Sequence, residues 1–138
     1  MGGNQRGVLK ALLMGVIPFL HVFLFYKWCN EAKVHWKAEG LNSTLYAILF
    51  LLPLINIYPL FRFLTLVQSS LAAEGKKGYH LPPVVLSLTV IVWVLILILP
   101  GTLICPLLYL PAAVTALAWL YIVFKTQSLF NENGVETL

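Results

Sequence analysis

Charge is what this sequence has least of. Of its 138 residues only 10% are Asp, Glu, Lys or Arg, while 60% are hydrophobic. A soluble domain clothes its surface with roughly 25% charged residues, and this chain has too few for that. Between Leu81 and Phe124 there is none at all. As helix that stretch measures roughly 66 Å, about twice the ~30 Å of bilayer hydrocarbon, so it must cross twice or fold back. Acidic residues are the scarcer sign. None of the five falls inside an apolar segment, so proton-coupled export resting on a membrane carboxylate lacks its central group.

Other absences narrow the chemistry further. The two cysteines, Cys29 and Cys105, have no paired metal-ligand spacing, and free thiols are expected. There is no nucleophile motif, no glycine-rich phosphate loop and no pair of carboxylates. Catalysis of its own, a cofactor and a metal site are therefore not expected. The net charge of +4 comes from basic residues scattered singly, Lys76 and Lys77 being the one adjacent pair. Such scatter suits lipid headgroups, not the phosphate stripe of a nucleic acid.

What is present is four apolar segments, about Val8 to Tyr26, Leu45 to Phe61, Pro83 to Leu99 and Leu107 to Phe124. Each is near the lower length for spanning a bilayer. In lipid an unpaired strand leaves its backbone groups unsatisfied, so even the β-branched Val90-Ile91-Val92 reads as helix. The expectation is an all-α integral membrane protein with about four transmembrane helices. Helices 3 and 4 form a tight hairpin across the short, uncharged Gly101–Cys105 connection. Residues 1–138 make one domain, with a tail from about residue 126 that is mobile unless a partner holds it. No internal repeat is evident.

The connections carry the polar residues. Residues 27 to 43 hold charges and aromatics without a proline, so helix 1 should continue out of the membrane through them. Glu74-Gly75-Lys76-Lys77-Gly78 reads as a turn. Asn42-Ser43-Thr44 matches a glycosylation acceptor but reads better as a helix cap. The first segment lacks a small-residue cleavage site and reads as an uncleaved helix. With four crossings, Arg6, Lys10, Arg62, Lys76, Lys77 and Lys125 share one side against Lys27, Lys33 and Lys37, which favours a multi-pass protein of the cell membrane with both termini cytoplasmic. Trp28, Trp36, Arg62 and Lys125 are the expected interface anchors.

The stretch LLPLINIYPLFRF, residues 51 to 63, puts two prolines, an asparagine and an arginine into an apolar run. Pro53 frees the carbonyl of Leu49 and Pro59 that of Ile55, which implies a kinked helix. Asn56, between them, is costly in lipid and favourable against another helix, where such bonds are worth about 0.6 to 2 kcal/mol. Asn56, Pro53, Pro59 and Tyr58, together with His21 of segment 1, are the candidates for helix packing or ligand contact. Arg62 lies about 120° from Asn56 in azimuth, so no continuous polar stripe forms.

Phe25-Tyr26-Lys27-Trp28 with Asn30-Glu31 following resembles the "YW-x-YK…E-x-N" exit of helix 1 in a family of small prokaryotic multi-helix membrane proteins with a domain of unknown function. Leu52 to Tyr58 followed by Arg62, and Gln127 to Asn131, fit the same pattern. Phe19-Leu20-His21-Val22 departs from the family's Gly-Ile-Tyr approach to that exit. The resemblance implies a few-helix membrane fold and no particular activity. Two function classes follow. One is a non-catalytic accessory or scaffolding subunit that packs its proline-bent helices against other membrane subunits within the lipid bilayer. The alternative is a small homo-oligomeric channel or carrier built on the polar groups of helix 2.

Overall fold

The computed structural model describes residues 6–17, 19–52, 55–88 and 109–137. These residues are helical, with no strand among them, as expected. The helices are α1 (Val8–Val16), α2 (Leu20–His35), α3 (Ser43–Leu51), α4 (Ile57–Ala73) and α5 (Tyr109–Glu132). Residues 83–88 are a short helical stretch at the edge of the described chain. Most of the expected third segment, the Gly101–Cys105 connection and Pro53 lie outside the described residues.

The first expected crossing is not a single rod. The Arg6 guanidinium lies 2.6 Å from the Glu31 carboxylate, where a continuous helix would separate them by about 37 Å. Residues 8–26 instead fold back on themselves, and the reason is local. Ile17 precedes Pro18, and the clash with a proline ring drives the preceding residue out of the helical region. Its backbone is accordingly extended (φ −75°, ψ 128°), and Phe19 follows at φ 65° to start the return.

The second segment repeats this event. Leu52, before Pro53, has φ −82° and ψ 125°. Tyr46 and Tyr58 then meet with ring centroids 6.3 Å apart, against about 18 Å along one helix. The expected kinked helix is thus a break between two helices. α1 and α3 have nine residues each, about 14 Å, less than half the hydrocarbon thickness. The four-crossing arrangement is not supported. Among the described residues one helix, Ala113–Glu132 within α5, is long and apolar enough to cross a membrane.

The two hairpins follow one plan. Every position of the first has a counterpart 35 residues on, Pro18 matching Pro53. Counterparts are buried together: Ala11 with Tyr46, Gly15 with Phe50, Phe25 with Leu60, Trp28 with Phe63, Cys29 with Leu64, Ala32 with Val67. They are exposed together too, as in Leu13 and Ile48, Val16 and Leu51, Leu20 and Ile55, Phe23 and Tyr58. Trp28 and Phe63 stack nearly parallel, 5° apart at 6.1 Å. A repeat invisible in residue identity is therefore plain in packing.

α5 runs antiparallel to α1, with its C-terminal half against Arg6 and its middle against Gly15. The Trp119 indole donates to the Gly15 carbonyl at 2.9 Å and tilts over Phe50 at 5.8 Å, so one side chain touches both counterpart positions. Gly15 permits the approach, because a Cβ there would meet Val123 Cγ2 at 2.9 Å. Asn42 caps α3 by accepting the Leu45 N–H at 3.1 Å, as its sequence position suggested. α4 and α5 both end in a left-handed glycine, Gly75 and Gly134. Lys76 N–H reaches Leu71 O and Val135 N–H reaches Phe130 O at 2.9 Å each, the six-to-one bond of a Schellman ending.

The tail also differs from expectation. Residues 126–132 continue α5, and Thr126, Gln127, Leu129 and Phe130 are buried. The partner that holds the tail is the chain's own α2, through Trp28 and Trp36 against Phe130.

Candidate functional site

The densest polar group in the molecule joins the first, second and last helical segments. Arg6 Nη2 donates to Glu31 Oε1 at 2.6 Å and Nη1 to Glu31 Oε2 at 3.5 Å. Arg6 Nη1 also donates to Gln127 Oε1 at 3.4 Å, and the Trp28 indole reaches the same oxygen at 3.1 Å. Gln127 Nε2 in turn donates to Asn131 Oδ1, and Asn131 Nδ2 to the Arg6 carbonyl, both at 3.1 Å. Arg6, Glu31 and Gln127 are all buried. Two opposite charges share a desolvated site and meet a ring of neutral amides, so the cluster neutralises itself. Chemically it is a clasp, and it spends its donors and acceptors on holding helices together.

A second polar cluster lies below it. Gln68 Oε1 accepts the Tyr79 N–H at 2.8 Å, and the Tyr79 and Thr126 hydroxyls are 2.8 Å apart. Burial pushes the Tyr79 phenol above its ordinary range, so it serves as a neutral hydrogen-bonding group. Gly78 makes room for the Gln68 amide, which sits where a Cβ would stand. At the rim, Trp36 donates to Glu74 at 3.0 Å and Lys76 pairs with the same carboxylate at 2.6 Å. Lys76 and then Trp36 hold the Glu74 carboxyl below its ordinary value.

The residues singled out in the sequence fall in several places. Trp28, expected at the membrane interface, is wholly buried between Phe63, Phe130 and Gln127, because the fold-back carries it into the packed end. Trp36 is half-buried over Phe130. Arg62 is exposed and hydrogen-bonds Tyr46 of α3, with Tyr58 beside it. Lys125 is half-exposed on α5. Pro59 is buried and Tyr58 exposed.

His21 is half-buried, edge-on to Phe50 at 5.9 Å. Asn56 is buried, and its Oδ1 has no hydrogen-bond partner. His21 and Asn56 occupy counterpart positions, three residues beyond each proline. The carbonyls that Pro53 and Pro59 should free are taken locally: Leu52 N–H reaches Leu49 O at 3.2 Å, and Tyr58 N–H reaches Ile55 O at 3.1 Å. They are not spare ligands.

Sequence reading overlooked Arg6, Glu31, Gln127, Gly15 and Phe19. One signal was there to find: Pro18 sits mid-way through segment 1 as Pro53 does in segment 2. Among the described residues no group of three or more His, Cys, Asp or Glu side chains could hold a metal ion. Cys29 is a free, buried thiol, and Cys105 lies outside the described residues. No family model matches the chain, and no curated protein or solved structure matches it either.

Proposed function

We propose that the chain is a non-catalytic accessory or scaffolding subunit of a larger membrane protein complex, anchored in the bilayer by α5. The observation that carries this reading is a stripe on α5. Leu110, Val114, Leu117 and Phe124 recur at helical spacing and are 73%, 56%, 66% and 50% exposed, one face of a helix with no partner among the described residues. The same helix meets Gly15 and the Arg6 clasp on its other side, so its orientation is fixed and the stripe is presented outward. A rigidly held apolar stripe is what a partner helix needs for packing. The contact of Asn131 with Arg6 joins the two terminal segments on one face. A cytoplasmic place for that face is the orientation the positive-inside rule favours.

The experiment is purification of a tagged copy from its native membrane in mild detergent, followed by native mass spectrometry. A stoichiometric larger partner, lost on Leu117→Asn, is the expected result. One observation favours the alternative reading, a homo-oligomeric channel or carrier: the buried, unpartnered Asn56 Oδ1. A homo-oligomer without other subunits would put that reading first.

A further inference from the structure

We propose that the two hairpins enter one leaflet of the bilayer from a single side, as paired wedges whose rim of cations binds acidic lipid headgroups. This rests on the membrane reading above and not on the accessory role.

The first support is where the charge lies. The sequence holds nine basic and five acidic residues, and contacts tie Arg6, Lys76, Glu31 and Glu74 to one end of the assembly. Arg6 meets Glu31 and Gln127, Trp36 meets Glu74, and Lys76 meets Glu74. With both hairpins folded back, residues 27–43 join the N-terminal segment on this side instead of facing it across the bilayer. One-sided entry replaces the expected division of basic residues between two sides with a single side.

The second support is depth. Lys27 and Arg62 are counterparts, each nine residues beyond its proline. Lys27 stands seven residues from the exposed Leu20 that opens α2, Arg62 seven from the exposed Ile55 just before α4, and Lys10 seven from the exposed Ile17 just after α1. Seven residues rise about 10 Å. One leaflet of hydrocarbon is about 15 Å deep, half of the full core, and long basic side chains reach several ångströms toward headgroups. Cations at the phosphates therefore put both tips near the bilayer centre and short of the far side. Two hairpins with separate sequences reaching the same depth is what a common boundary imposes.

The third support is the first tip itself. Phe19 is 77% exposed at φ 65°, a backbone conformation that is strained for a bulky residue. None of the described residues covers that ring. Acyl chains would. The Leu52 and Ile55 side chains flanking the second tip are exposed as well.

The first readout needs only the native lysines. An amine reagent that cannot cross membranes is applied to right-side-out and to inside-out vesicles, and modified residues are read by mass spectrometry. One-sided insertion places Lys33, Lys37, Lys76 and Lys77 in the same vesicle population. Modification of Lys33 and Lys37 in one population and of Lys76 and Lys77 in the other would overturn it. Depth is read with nitroxides at Phe19→Cys and Ile55→Cys on a Cys105→Ser background, Cys29 being fully buried. Both labels should be quenched from the hydrocarbon and shielded from aqueous quencher; a water-exposed label at either tip overturns the wedge. Native mass spectrometry should find phosphatidylglycerol retained several-fold over phosphatidylcholine, with the preference lost in the Lys27→Gln/Arg62→Gln pair. Equal retention by the parent protein overturns the headgroup role. All three readouts concern the chain itself, whether or not a partner co-purifies.

Discussion

The two hairpins share a backbone plan and differ in what fills it. Where the first has Gly15, the second has Phe50. At Gly15 the backbone itself touches α5, through its carbonyl and the Trp119 indole. At Phe50 a ring fills the equivalent space, stacked on Phe25 at 4.3 Å and leaning on Trp119. Glu31, which closes the polar clasp, has Leu66 as its counterpart. One hairpin is thus tied to α5 by close approach and by the Gln127 and Asn131 amides around its own ion pair, the other by aromatic volume. The repeat fixes which positions face inward, and residue size decides how near each neighbour comes.

That contrast can be broken at each position, with melting in detergent as the readout. Phe50→Ala should cost most, about 3 to 5 kcal/mol, because it opens a cavity among Phe25, His21 and Trp119. Arg6→Ala strands a buried carboxylate and should cost about 3 kcal/mol or more, whereas Leu66→Ala at the counterpart of Glu31 should cost clearly less. Equal losses at the two positions would mean that the clasp contributes no more than packing. Gly15→Ala should cost about 1 to 3 kcal/mol through overpacking on Val123, and Val123→Ala in the same chain should recover part of it. Phe19→Gly should raise stability by about 1 kcal/mol by removing backbone strain, while loosening attachment to vesicles. The smallest effect is at Glu74. Its carboxyl is held below its ordinary value, so its contribution is present above that value and fades as pH falls through the lowered one. The melting difference between the parent and Glu74→Gln should shrink in that acid window.

Much of the architecture was legible, and the misses have a common cause. Helical content, the helix continuing beyond Lys27 (to His35 of the expected 27–43), the Asn42 cap and the turn at Glu74–Gly78 follow from composition and local chemistry. Hydropathy alone could not distinguish a 19-residue rod from two short helices folded at Pro18, because the apolar run is unbroken either way. Pro53 was recognised as a disturbance, but a proline bend and a proline stop look alike until the residue before it is seen extended. Trp28 was misplaced for the same reason, since its depth depends on the direction of the helix that carries it. The clasp was unreadable because its charges stand 25 residues apart in sequence and meet only when the first hairpin closes. Asn56 is buried with no partner for its oxygen, an arrangement that depends on the neighbouring helices and not on its own segment.

The clasp also has a consequence for how the chain is made. Arg6 and Gln127 are separated by 121 positions, so the guanidinium waits for almost the whole chain to be synthesised before its amide ring can form. At a typical elongation rate that is roughly 6 to 24 seconds. Glu31, arriving within the first quarter of the chain, is the partner that can shield the charge meanwhile. The order of synthesis therefore makes the first hairpin a self-neutralised unit while it waits for the last helix to lock it.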